Sequence, residues 1–302
     1  MSNTFIKLMT HYCIKRANKI LLLLLAIIVV LPLQVKAHEE PPKTQKEKKE
    51  AEAKRNKILK NKITRIIIWE NHIEKGSVTE NKQKYAVLNY NADGLNTSIL
   101  IFKSNDTLEG KTIKTYDFNK NMIFDCDFEG SGNTSEKSVF QYSGTGLIEK
   151  IFNIDTNGLV SSYAEYTYKA KERRIVFTSY KSTGQKNYTY NYLYGTDTIN
   201  GNCIEIEHRD SIGMLVMRVI NTYDKNGVRT EKAIYNAESK LDYKFTFTYT
   251  DDKNFSIITK ISATGEIMKT DTYSYNNKNN LISVVSKDKS GTITDAISYT
   301  YE

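Results

Sequence analysis

The segment Tyr223–Tyr249, YDKNGVRTEKAIYNAESKLDYKFTFTY, carries the pattern that decides the fold of this 302-residue chain. It begins and ends on tyrosines 26 residues apart, and Asn226-Gly227 marks a turn just after the first of them. Asn and Gly readily adopt the positive φ that tight hairpin turns require. From Tyr243 to Tyr249 aromatic residues alternate with Lys and Thr, which is typical of a strand with one buried face. The segment therefore predicts one β-hairpin.

The tyrosine recurs with this period along most of the chain. Every step is 26 residues except one of 29 between Tyr194 and Tyr223, where a bulge or longer loop is expected. The nine positions are Tyr90, Tyr116, Tyr142, Tyr168, Tyr194, Tyr223, Tyr249, Tyr275 and Tyr301. Ten residues before the tyrosine, six units carry a turn glycine: Gly132, Gly158, Gly184, Gly213, Gly265 and Gly291. Each unit predicts two strands and two turns.

These hairpins fill residues 63–302 and predict an all-β domain. The expected fold is a long antiparallel meander of about nine hairpins, hence about 18 strands. A flat sheet of about 18 strands would be on the order of 85 Å wide. Because sheets of that width rarely stay flat, we expect an open sheet that twists or curls.

Residues 1–37 have the features of a secretory signal peptide. Basic residues precede the apolar run Ile20–Leu33, and Val35-Lys36-Ala37 offers small residues at the positions that a signal peptidase reads. The run is shorter than the ~20 residues needed to cross a bilayer. A start at Met9 instead of Met1 would give a signal of more usual length. We predict cleavage after Ala37, no stable membrane insertion afterwards, and an exported protein, periplasmic or extracellular.

The net charge of +8 comes from the N-terminal segments. Residues 1–37 contribute +5 and residues 38–62 contribute +4, which leaves −1 for residues 63–302. A nearly neutral domain argues against a nucleic-acid partner. Residues 38–62 are predicted to be a charged linker, a solvated spacer or short helix after Pro42. The alternative is weak attachment of this linker to anionic lipid headgroups or polysaccharide.

The tyrosine-centred turns resemble a known repeat. Tyr223-Asp224-Lys225-Asn226-Gly227 is similar to the YD repeats of rearrangement-hotspot (RHS) proteins, and the resemblance covers residues 63–302. It implies hairpins that form long β-sheet strips, shells or extracellular scaffolds, often described as carbohydrate-binding. Of the nine ladder positions only Tyr116 and Tyr223 are followed by Asp. Short MORN-like hairpin repeats are similar as well.

No residue pattern indicates catalysis. The three histidines after the predicted cleavage site, His38, His72 and His208, are not spaced as metal ligands, and no phosphate-binding or nucleophile motif is present. We therefore predict no enzyme activity, no metal and no cofactor. Cys126 and Cys203 would be roughly 29 Å apart in an open sheet, beyond the ~7 Å reach of a disulfide. They are expected to be free and buried unless the sheet closes.

The nine tyrosines form a predicted ladder across the sheet that packs neighbouring strands, with stacking on sugar rings or peptide strands as the alternative. The predicted function is a non-enzymatic secreted or periplasmic scaffold that binds an envelope protein or glycan through a sheet face or edge. Two alternatives stay open: an outer-membrane β-barrel, and an inhibitor or immunity protein that acts by strand pairing. Against the first, Lys269 and Asp271 share a strand face with Tyr273 and Tyr275.

Overall fold

The computed structural model describes residues 45–195 and 201–302. The predicted signal peptide, its cleavage after Ala37 and the first part of the linker lie outside the described residues. Helix α1 is Gln45–Lys60. The strands are β1 (Arg65–Glu74), β2 (Ser77–Tyr90), β3 (Asn96–Phe102), β4 (Leu108–Tyr116), β5 (Met122–Glu129), β6 (Thr134–Tyr142), β7 (Ile148–Ile154), β8 (Val160–Lys169), β9 (Arg174–Lys181), β10 (Lys186–Tyr194), β11 (Cys203–Arg209), β12 (Leu215–Tyr223), β13 (Arg229–Asn236), β14 (Leu241–Tyr249), β15 (Phe255–Ser262), β16 (Ile267–Tyr275), β17 (Leu281–Asp288) and β18 (Ile293–Tyr301). Within the described ranges, no helix is long and apolar enough to cross a membrane.

The turns form where the sequence places Asx residues and glycine. After β12, the Asp224 carboxylate accepts hydrogen bonds from the backbone N–H groups of Asn226 and Val228, at 2.8 and 2.9 Å. Gly227 takes the positive φ of 73° that closes the turn. The register shifts by one residue between Thr222 and the ladder tyrosine, which is a β-bulge beside the turn. The same arrangement recurs from hairpin to hairpin.

The sheet is closed, and the expected open sheet is wrong. Its 18 antiparallel strands pair in sequence order, and β1 pairs with both β2 and β18. Ile66 of β1 lies opposite Leu88 on one side and Tyr301 on the other. The backbone N–H of Arg65 donates to the Glu302 carbonyl, and that of Glu302 donates to Arg65. Closure satisfies the N–H and C=O groups that two free edges would leave unpaired.

The strands are tilted because the pairing slides along them. Tyr301, the last residue of β18, pairs with Ile66, the second residue of β1. Ile66 pairs with Leu88, third from the end of β2, and Leu88 with Ile99, the fourth residue of β3. A slide of one residue per strand gives a tilt of about 35° and a ring about 35 Å across. The barrel is therefore far narrower than the sheet would be if laid flat.

Helix α1 lies across one mouth of the barrel. The Lys48 ammonium donates to the Gly146 carbonyl in the β6–β7 turn at 2.7 Å, and the Lys57 ammonium donates to Asn279 in the β16–β17 turn. Around the ring, these turns are eight strands apart one way and ten the other. A straight helix about 24 Å long reaches both only by crossing the opening. We call this rim the helix end and the opposite rim the far end.

The buried side chains identify the inner face. Ile58 of α1 packs into a cluster formed by β14–β18 and β1–β3, together with Leu88 and Tyr299. A second cluster lines β6–β13 and contains the fully buried Phe177 and Tyr192. Residues that share their strand face with these side chains therefore point into the barrel.

Candidate functional site

The predicted ladder tyrosines lie at the helix end, with their rings on the inner face. The hydroxyl groups of seven of them donate to the backbone carbonyl of the first residue of the preceding strand, at 2.6 to 2.9 Å. The donor and acceptor pairs are Tyr116–Asn96, Tyr142–Met122, Tyr168–Ile148, Tyr223–Cys203, Tyr249–Arg229, Tyr275–Phe255 and Tyr301–Leu281. Tyr90 and Tyr194 are both buried. Each of these seven hydrogen bonds ties the end of a hairpin's second strand to the start of its first strand, beside the bulged turn that precedes the hairpin.

Burial keeps these phenols neutral. It raises the pKa of Tyr116 and of Tyr249 to about 12. It raises the pKa of Tyr275 and Tyr301 still further. The hydroxyl groups therefore act as hydrogen-bond donors to the backbone throughout the physiological pH range. With their rings directed inward, they present no stacking surface on the outer wall.

Between the two buried clusters, the inner face of β4–β6 is polar. Lys114 pairs with Asp125 across β4 and β5, and the Thr112 hydroxyl donates to the Asp127 carboxylate at 2.5 Å. Asp127 and Glu136 face inward and are nevertheless exposed, so water reaches this part of the interior. Burial raises the pKa of Asp125 to about 6, the Lys114 charge opposes the rise, and the carboxylates of Asp127 and Glu136 add to it.

The charges predicted to argue against a membrane barrel also point inward. The Lys269 ammonium lies 2.9 Å from the carboxylate of Asp271, whose side chain is 4% exposed. The Ser286 hydroxyl donates to the same carboxylate at 2.5 Å. Tyr273, on the same face, is buried. This face is therefore part of the interior, and the alternate residues of β16 form the outer wall.

Around β11–β18 the outer wall combines ion pairs and hydroxyl side chains with apolar ones such as Ile220 and Ile257. Cross-strand ion pairs join β11 to β12 through Glu205 and Arg218, at 3.7 Å, and β13 to β14 through Glu231 and Lys244, at 2.9 Å. On β14, β16 and β18 the outward positions are mostly Thr and Ser: Thr246, Thr248, Thr270, Thr272, Ser274, Thr294, Ser298 and Thr300. These side chains are suited to contact with water.

On β5–β9 the outer wall carries a row of apolar and aromatic side chains. Successive pairing partners on these five strands define the row, which we call the aromatic row: Phe124, Val139, Phe152, Tyr163 and Tyr180. The rings of Tyr163 and Tyr180 are stacked, with centroids 4.8 Å apart and planes at 15°. The ring of Phe152 lies 6.4 Å from that of Tyr163 at 30°. All five side chains are half-buried, so their outer surfaces remain accessible.

Polar groups border the aromatic row. Toward the helix end, the neighbouring outward positions on β6–β9 are Gln141, Lys150, Glu165 and Thr178, which pair in that order. Lys150 and Glu165 form an ion pair at 2.8 Å on the surface. The aromatic row thus combines flat ring surfaces with hydrogen-bond donors and acceptors along one side. Sequence analysis missed it because these residues have no common period and become neighbours only through strand register.

The remaining candidate residues do not form a site. His208 faces inward and stacks on Tyr190, with centroids 4.5 Å apart, while Glu207 on the other face pairs with Arg209. Cys126 and Cys203 are both buried, and no disulfide joins them although the sheet closes. In residues 45–195 and 201–302 no group of three or more His, Cys, Asp or Glu side chains is arranged to hold a metal ion.

Comparisons with known proteins show a likeness in solved structures only. No protein-family description matches the sequence, and no curated protein matches it significantly. The chain is similar to a porin-like protein from Bacteroides uniformis, with 15% identity over 80% of this chain and 98% of that chain and a TM-score of 0.39. For a porin-like protein from Bacteroides vulgatus, the identity is 11%, the coverage 80% and 98%, and the TM-score 0.28.

A Tc holotoxin pore from Photorhabdus luminescens is similar over 74% of this chain and 19% of that chain, with 9% identity and a TM-score of 0.17. Likenesses at these identities and TM-scores do not assign an activity to this chain. The open strip of YD-type hairpins implied by the sequence resemblance is wrong, because the sheet closes on itself. What this chain shares with YD repeats is limited to the hairpin period and the turn residues.

Proposed function

We propose that the protein is an exported, non-enzymatic barrel of the cell envelope. Its outer wall is surrounded by water and binds a glycan. The observation that carries the proposal is the aromatic row on β5–β9. Sugar rings present flat C–H surfaces that stack on aromatic side chains, and their hydroxyl groups need donors and acceptors beside the stack. Rings and bordering polar groups lie together here and nowhere along the ladder.

The composition of the outer wall supports an aqueous setting. Ion pairs such as Glu231–Lys244 and Lys150–Glu165 lie in mid-wall on outward faces. At the middle of a bilayer each outward Lys or Arg would cost about 2–4 kcal/mol. The Thr and Ser positions on β14, β16 and β18 would also contact lipid. In water these groups are solvated, so this free-energy cost does not arise.

The length of the row sets the size of ligand that it fits. Five strands at ~4.8 Å spacing place its ends about 19 Å apart, which is long enough for several linked sugars. Strands β5–β9 are paired on both sides, so a ligand of the aromatic row meets side chains and not a strand edge, whereas β1 beyond Glu70 and β2 before Ala86 keep unpaired edges. Binding through the wall is therefore what we propose.

A membrane-inserted outer-membrane barrel is the second candidate, and the closed ring favours it. Strands β12, β14, β16 and β18 each have nine residues. Nine residues tilted by about 35° span about 24 Å, close to the ~25 Å height of the apolar band of such barrels. The outward ion pairs are the reason that we rank this candidate second.

The test combines extraction with binding. The chain is expressed in bacteria with its own signal, and the mature protein is extracted without detergent and sedimented with peptidoglycan sacculi, chitin and cellulose. We expect a soluble protein that binds at least one polysaccharide. Changing Tyr163 and Tyr180 together to Ser should weaken this binding at least tenfold, because both stacked rings are lost.

Tyr235→Ser is the matched control. Tyr235 also faces outward, on β13, but lies beside Arg218 and away from the aromatic row. Its loss should leave glycan binding unchanged. Equal weakening by the control, or no binding to any polysaccharide, would contradict the glycan proposal. A protein released from membranes only by detergent would favour the second candidate.

A further inference from the structure

The exposed surface of α1 and of the two residues after it carries a net positive charge. Residues 45–62 contain eight basic and three acidic side chains. Lys48 and Lys57 reach to the turns, whereas Lys49, Lys60 and Lys62 are exposed. Lys54 is exposed as well, and these four lysines outnumber the two exposed acidic residues of the helix, Glu50 and Glu52. A rim that carries this excess of positive charge attracts anionic surfaces.

An apolar tip lies beside these lysines. Phe118, in the β4–β5 turn, is 92% exposed, and Leu59 of α1 is 40% exposed. The two are connected through the β2–β3 turn: Leu59 lies against Gly94, and Asp93 of that turn pairs with Lys120 of the next at 3.4 Å. A phenylalanine side chain this exposed contributes almost nothing to the packing of the barrel.

The far end offers no such combination. Ile212 and Leu159 are 78% and 67% exposed there, and each follows a turn aspartate, Asp210 and Asp155. Turn aspartates such as Asp93 and Asp224 occur at the helix end as well, so the charge difference between the rims comes from the lysines of α1, which the far end lacks. The two rims of the barrel therefore differ in charge while both expose apolar side chains.

Chain direction places the helix end toward a membrane. The apolar run Ile20–Leu33, predicted to enter the membrane during export, precedes the start of α1 by eleven residues. During export this rim is thus the part of the barrel tethered close to the bilayer. A basic helix with an apolar tip is the combination that holds peripheral proteins at anionic lipid.

We propose that the helix end docks the barrel onto the surface of an anionic phospholipid bilayer, with the exposed lysines of α1 on the headgroups and Phe118 inserted at the interface. Docking is peripheral and leaves the wall in water. A dissolved polyanion would satisfy the lysines but would give no role to Phe118, which is why a bilayer is the fitting partner. Binding of a glycan by the aromatic row does not depend on this docking.

The experiment measures binding of the mature protein to vesicles by sedimentation. The probes are vesicles of phosphatidylcholine with and without about one third phosphatidylglycerol, at low and at 0.5 M salt. We expect binding to the anionic vesicles only, with loss at high salt. The triple variant K49E/K60E/K62E should bind more than about 100-fold more weakly, since each lysine near the surface contributes about fivefold. F118S should weaken binding about tenfold.

Two controls carry the same chemical changes at the far end. K75E/K103E/K289E reverses three exposed lysines there, and I212S removes an exposed apolar side chain. Both should bind as the parent does, and circular dichroism verifies that all variants are folded.

Several outcomes would overturn docking. No binding to anionic vesicles would refute it and leave the glycan proposal intact. Equal loss in the two triple variants, or no effect of F118S, would refute the assigned surface. Binding to neutral vesicles that resists high salt would overturn both docking and the aqueous wall.

Discussion

At the scale of single residues, the ladder tyrosines act through their hydroxyl groups. Each donated hydrogen bond reaches the carbonyl of a residue that lies beside a bulged turn. The ring packs inward at the same time, so one side chain serves both the turn and the core. This double role explains why tyrosine, and not phenylalanine, recurs with the hairpin period.

The ladder hydroxyl can be tested by its removal. Tyr275→Phe should lower the free energy of unfolding by about 1 kcal/mol, because it leaves the Phe255 carbonyl without its donor. Tyr299→Phe is the matched control: this buried hydroxyl has no hydrogen-bond partner among the described residues, so its loss should cost nothing or stabilise. Urea unfolding measures both. Equal destabilisation by the two variants would contradict the hydrogen-bond role.

A second residue-scale prediction concerns Asp125. Its pKa of about 6 in the folded protein lies above that of an unfolded aspartate, so the folded state binds the proton more tightly. The contribution of Asp125 to the free energy of unfolding should therefore fall as the pH rises from about 4 to about 6, by at most about 3 kcal/mol. Asp125→Asn stays neutral and should flatten this part of the profile.

Urea unfolding at pH 4, 5, 6 and 7 checks the Asp125 prediction. The change Asp251→Asn, at an exposed turn position, serves as the control and should keep the profile of the parent. If Asp125→Asn kept the parent's slope of unfolding free energy against pH, or raised that free energy equally at every pH, burial of Asp125 would not be the cause of the pH dependence.

At the scale of elements, α1 is held by polar contacts to turns and by one close approach. A Cβ on Gly94 would lie 3.0 Å from Cγ of both Arg55 and Leu59, and Gly94 has a φ of +72°. Composition predicts a charged linker or short helix for this region, but no sequence pattern shows which turn it meets. The contact joins residues about 35 positions apart through a missing side chain, which leaves no trace in local periodicity.

The docking of α1 can be tested at Gly94. Gly94→Ala should destabilise the protein through positive φ and should also lift α1, which makes its lysines accessible to trypsin. Gly158→Ala is matched, since it has a φ of +82° and no atom within 4 Å of the added Cβ. It should cost about 1 kcal/mol through φ alone and leave α1 protected. Equal rates of tryptic cleavage in the two variants would contradict the close approach.

At the scale of the whole molecule, closure changes what each strand face does. In an open sheet, the tyrosine face of β10 or β14 could meet a ligand. In the closed barrel, that face is the interior, and the Thr-, Lys- and Glu-bearing face meets the surroundings. The ladder tyrosines therefore line the interior, whereas the aromatic row, which register brings together across β5–β9, faces the surroundings.

The sequence by itself determined the repeating hairpin and its two turns, because alternation and Asx-Gly chemistry act between residues close along the chain. It also determined which residues share a face. The tertiary structure alone decided that the sheet closes, that the tyrosines point inward and that α1 lies across one mouth of the barrel. Closure rests on pairing between Ile66 and Tyr301, 235 residues apart, through backbone groups that every strand possesses in the same form. Such pairing depends on twist and tilt accumulated over 18 strands, which no local pattern records.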